Sequence, residues 1–74
     1  MPPKIRELKA ALRKAGFSSR SAKGSHTVWR HPLLPHIRVT LSSNDGDDAG
    51  RFHEDEVEAA LAALRDLERR LKTP

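Results

Sequence analysis

A chain of 74 residues, 36% apolar and 32% charged, has room for one domain and a thin core; chains of this size bury only about 60% of their unfolded surface. The absence of cysteine excludes disulfides, thiolate metal sites and a thiol nucleophile, and it fits a cytoplasmic setting. No apolar run nears the roughly 18 residues of a membrane span, and the first residues lack the apolar stretch of a secretory signal. The net charge of +4 is unevenly laid out: residues 1–38 hold nine Lys and Arg against one acid, Glu7, whereas residues 39–74 hold five bases and nine acids. A basic half of this kind is a footprint for a polyanion, with RNA or DNA ahead of simple solvation.

In chain order the pattern predicts two helices around three strands. Pro2 and Pro3 suit a helix start, and Ile5, Leu8, Leu12 and Ala15 recur at helical spacing with Arg6, Lys9 and Arg13 outside. Gly16 supplies the stop. Phe17 to Ala22 is a short strand candidate, and His26 to His31, with Thr27, Val28 and Trp29, is a better one. "PLLP" at 32–35 reads as a connection, because proline removes a ladder donor. In "HIRVTLS", Ile37, Val39 and Leu41 alternate with Arg38, Thr40 and Ser42, the mark of a half-buried strand. "SNDGDDAG" is a loop, and a helix runs from about Glu54 to Lys72 on a stripe of Val57, Leu61, Leu64, Leu67 and Leu71. The expected architecture is α+β, an α-β-β-β-α chain with a three-stranded antiparallel sheet and both helices on one face.

The stretch "KAGF" closing the first helix, the basic turn "KGSH", the strand "TVWRHP" and the strand "IRVTL" resemble the HicA family of toxin mRNA interferases, from about Ile5 to Leu41. The resemblance implies a single HicA-like domain over residues 1–74 with a fold similar to the double-stranded RNA-binding domain. It also implies that His26 is the catalytic histidine, that the substrate is mRNA, and that the partner is a HicB-like antitoxin; the thin core and the basic half point to an antitoxin that covers His26. No cofactor or metal is called for.

The chemistry stands beside the resemblance. RNA carries its own nucleophile, the 2′-hydroxyl, so a protein need only move protons and steady the charge growing on phosphorus. Histidine can act as base or acid near neutral pH. Lys23 supplies charge, Gly24 lets backbone approach a phosphate, and Ser25 offers a hydroxyl. Strand parity puts His26, Val28 and Arg30 on one face and Thr27, Trp29 and His31 on the other. Which of Val28 and Trp29 faces the helices is open at this point. Lys9, Arg13, Lys23, Gly24, Ser25 and Arg30 are the expected RNA contacts, and His31 is expected to be structural.

Neither of two metal-like patterns in the sequence is complete. His26, His31 and His36 recur every five residues but fall on different faces and elements. Asp45, Asp47, Gly50 and Glu56 match positions 1, 3, 6 and 12 of a calcium loop, but position 5 is Ala49 and a strand precedes it. The sequence therefore supports a metal-independent endoribonuclease toxin acting through His26. The alternative is a non-catalytic RNA-binding module in which His26 is structural.

Overall fold

The computed structural model describes residues 2–72. It contains α1 (Ile5–Lys14), β1 (Ser18–Ser21), β2 (Thr27–His31), β3 (Leu34–Leu41) and α2 (Arg51–Lys72). The strands form one antiparallel sheet, as the pattern predicted, and their order is β1-β2-β3.

Helix α1 buries Ile5, Leu8 and Leu12 and ends at Gly16, whose φ of 101° is a conformation that favours glycine. Its start differs from expectation. Both prolines precede the helix and Lys4 is the cap, its backbone N–H donating to Glu7 Oε2 at 2.6 Å. The next free helix N–H groups find partners in the distant 42–50 loop. Ile5 N donates to the Asp47 carbonyl at 2.9 Å and Arg6 N to that of Asp45 at 3.2 Å. Donors left over by the first helical turn are thus met by backbone from across the chain. The acidic loop is part of the frame.

Within the sheet, Trp29 pairs with Val39 and Thr27 with Leu41. These side chains share the face beneath the helices, where Trp29, Val39 and Leu41 are buried with Phe17, Ala49, Val57, Ala60 and Leu64. Trp29 is 1% exposed and its indole N–H donates to Thr27 Oγ1 at 3.0 Å, so its polar tip is satisfied inside the core. That resolves the parity of β2: Trp29 points in, and half-buried Val28 lies on the open face. His31 also has a structural place. Its ring packs edge-on against Phe17 at 5.1 Å, and its Nδ1 accepts the Leu33 N–H at 3.1 Å.

The 32–35 stretch, the start of α2 and its apolar stripe need correcting. The 32–35 stretch is only half connection: Pro32 and Leu33 make the turn, while Leu34 and Pro35 already belong to β3. Proline is tolerated there because β3 is an edge strand, and the pairing shifts between Trp29 and His31. Helix α2 begins at Arg51, a turn before the expected Glu54. Its core stripe is Val57, Ala60 and Leu64, with Leu61 and Leu67 half-buried. Leu71, expected to extend the stripe, is 66% exposed. At 1.5 Å per residue the 22-residue helix is about 33 Å long, more than a short sheet can cover.

Candidate active site

The KGSH segment is the tip of the β1–β2 hairpin. Ser21 pairs with Thr27, the Ala22 N–H donates to the His26 carbonyl at 2.9 Å, and the His26 N–H donates to the Lys23 carbonyl at 3.2 Å. His26 therefore continues the ladder past the last paired residue of β2, and Lys23, Gly24 and Ser25 form the turn. Gly24 has φ 65° and nothing within 4 Å of where a Cβ would stand, so its role is the turn's conformation, with its outer side left free. Lys23, Gly24, Ser25 and His26 are all exposed.

An exposed turn holds a reagent only if something anchors it. Here Ser25 Oγ donates to the Ser42 carbonyl, at 3.0 Å, tying the hairpin tip to the end of β3. Ser42 Oγ in turn lies 3.2 Å from His53 Nε2, near the start of α2. The other ring nitrogen, His53 Nδ1, is buried with no hydrogen-bond partner. A second imidazole is thus linked through one serine to the segment carrying His26. Ser42 and His53 were not picked out from the sequence. Their only signal there is the residue types, because the link joins three distant segments.

The expected RNA-contacting residues fall into two groups. Arg30 is exposed on the open face of the sheet, and His26 lies one residue before β2, short of that face's groove. On that face Ser18, Ser19, Arg20, Val28, Arg30 and Arg38 line an open groove of about 480 Å³. Lys9 and Arg13 belong to α1 and are engaged within the fold. Lys9 Nζ pairs with Asp45, and its side chain is only 17% exposed; the Arg13 guanidinium sits 5.2 Å from the centre of the Trp29 ring.

The carboxylates of the calcium-like pattern have separate partners. Asp45 pairs with Lys9, Asp47 Oδ2 accepts the Asn44 N–H at 3.0 Å, and Glu56 Oε1 accepts the Thr40 N–H at 2.9 Å. The three periodic histidines are also apart: His26 at the hairpin tip, His31 against Phe17, and His36 exposed on β3.

The α-β-β-β-α domain thus displays His26 on a glycine-serine hairpin pinned to the end of β3, and the sheet carries an arginine-lined groove. In the comparison with protein families, the model described as "HicA toxin of bacterial toxin-antitoxin" matches residues 5–54. The chain belongs to the HicA toxin family and so is the toxin side of a toxin–antitoxin pair. The match runs past the expected limit at Leu41, through the acidic loop and into the first turn of α2. Searches of curated proteins and of solved structures returned no match. Among the described residues no helix is long and apolar enough to cross a membrane.

Proposed function

We propose that this toxin is a metal-independent endoribonuclease that cleaves mRNA, with His26 as the general acid/base. The observation that carries the proposal is the placement of His26. It is exposed on a hairpin tip anchored by Ser25 to Ser42, in a chain of the HicA toxin family. His26 takes the proton of a ribose 2′-hydroxyl, whose oxygen attacks the adjacent phosphorus. The bond from phosphorus to the 5′-oxygen breaks, that oxygen takes a proton from solvent water, His26 returns its own proton to solvent, and the products end in a 2′,3′-cyclic phosphate and a 5′-hydroxyl. Lys23 and the Gly24–Ser25 backbone offset charge on the phosphorane, the kind of preorganised stabilisation that acts most strongly in the transition state. Arg30 holds a flanking phosphate. Lys9 and Arg13 are left out of this set, because Asp45 and Trp29 already engage them. The antitoxin is a HicB-like protein that silences the toxin by covering His26.

The test compares wild type with His26→Ala on mRNA in the presence of EDTA. Positioned acid–base catalysis contributes about 10²–10⁴-fold, and the variant should lose cleavage by that factor. Its thermal unfolding should match wild type, since an exposed side chain outside the core contributes little. A folded variant that still cleaves sinks the proposal and leaves the non-catalytic RNA-binding module.

A further inference from the structure

We infer that the open face of the sheet is a binding track for the phosphodiester backbone of single-stranded RNA, built from Arg20, Arg30 and Arg38 with Ser18, and leading to His26. The inference rests on the ribonuclease reading of His26 and adds where the substrate strand runs.

The three strands contribute one arginine each. Arg20 on β1 pairs with Val28, and Ser18 pairs with Arg30, so Arg20 and Arg30 are diagonal neighbours across the β1–β2 ladder. Such neighbours are about 7–8 Å apart. Arg38 directly precedes Val39, the inward-facing partner of Trp29, and so lies on the outer face beside Arg30. All three line the same groove, whose other walls are Ser18, Ser19 and Val28. No acid lines it, and among the described residues none of the three guanidiniums has an ion pair or a ring beneath it.

Like charges placed together on a sheet face lower stability, yet here three converge without a counterion from the protein. An anion from outside relieves that repulsion. Planar forks flanked by hydroxyls suit phosphate oxygens, which guanidinium binds through paired hydrogen bonds. The direction of the track follows from β2. Val28 and Arg30 lie on this face and His26 directly precedes β2, so at about 3.3 Å per residue His26 and Arg30 are roughly 13 Å apart. A strand held by Arg30, Arg38 and Arg20 therefore runs towards the hairpin tip, where the reacting phosphate meets His26. An extended single strand fits a shallow sheet face and leaves its ribose free to turn for in-line attack. An acidic face of the antitoxin is the competing occupant, and the experiment separates the two.

Binding is measured on the full chain carrying His26→Ala, so that a single-stranded RNA of defined length is held and not cut, at several salt concentrations. Adding Arg20→Gln, Arg30→Gln or Arg38→Gln should weaken binding roughly tenfold each, the scale of one charge-assisted contact. Each should also reduce the log–log salt slope by about 0.7, the value for one phosphate on a single strand. Lys9→Gln, on the helix side, should leave affinity and slope as they were. Melting temperatures of the three arginine variants should hold or rise as repulsion falls, which a merely structural role would not give. An unchanged slope in the arginine variants overturns the inference, as does equal loss in Lys9→Gln. RNA binding that survives while antitoxin binding collapses assigns the groove to the antitoxin and also overturns it. The readout is binding alone, so a His26→Ala chain that still cleaves would sink the nuclease reading without deciding the track.

Discussion

On the inner face of the sheet Trp29, Val39 and Leu41 lie buried beneath two helices, and three cations on that side have partners within the fold: Lys4 on Asp48, Lys9 on Asp45, Arg13 on the Trp29 ring. The outer face carries Arg20, Arg30 and Arg38 around half-buried Val28, with no acid in their groove. Both sets come from the same basic half of the chain. A count of charges cannot tell them apart, because what differs is where the acids fold back. The 42–50 loop brings Asp45, Asp47 and Asp48 to α1 and none of them to the sheet face. The acidic stretch that dilutes the net charge thereby leaves the arginine-lined groove without an acid.

The largest effect that follows from this contrast lies in β2 itself. Trp29→Ala should cost about 3–5 kcal/mol, the range for emptying a large aromatic site in a core. In a 74-residue chain that is much of the available stability. Val28→Ala, one residue away on the open face, should cost about 1 kcal/mol or less. Urea unfolding of both variants measures the difference. Equal losses would mean that the two faces of β2 are not distinguished as described.

A smaller effect is expected at the joint between helix and sheet. Gly16 has φ 101°, and a Cβ there would come within 3.1 Å of His31 Nε2. Gly16→Ala should therefore cost about 1–3 kcal/mol, the range for forcing a side chain into a sparsely populated backbone region. The loss should shrink in a His31→Ala background, where the crowding is gone, and the comparison of the two in thermal melts reads the coupling. If Gly16→Ala costs the same in both backgrounds, the backbone alone is responsible and His31 does not press on this corner.

How much was legible beforehand follows the range over which each interaction acts. Helix α1 and strands β2 and β3 could be read because 3.6-residue and two-residue periods are local properties of the chain. The "KGSH" turn could be read because glycine and serine mark turns by their own chemistry. The orientation of β2 could not, because Val28 and Trp29 give each face an apolar residue and only packing against α1 and α2 decides. Leu34 and Pro35 were misread because proline's exclusion from central strands does not hold at an edge. The anchor of the site was out of reach altogether. Ser25, Ser42 and His53 are linked across three segments, as are the α1 donors answered by Asp45 and Asp47. No periodicity records such ties.

The smallest predicted effect concerns the tie that sets the two basic groups apart. The Lys9 ammonium, by hydrogen bond and by charge, holds the Asp45 carboxyl below the usual carboxylate range. Because the folded-state pKa is the lower one, the unfolded chain takes up the proton first as pH falls. Asp45 therefore stabilises the fold above the ordinary carboxylate pKa of about 4, and that contribution fades as pH drops through the folded value. Asp45 is exposed, so salt should screen the pair and the effect should be modest. Asp45→Asn should lower the melting temperature slightly at pH 7 and leave it closer to wild type at pH 3, so the two pH–stability curves converge on the acid side. Raising the salt should narrow the gap at pH 7. RNA affinity should not move, because Lys9, freed from Asp45, still faces away from the groove. A gain in RNA binding by Asp45→Asn would show instead that the pair holds back a cation meant for the substrate, and Lys9 would then join the arginines of the outer face.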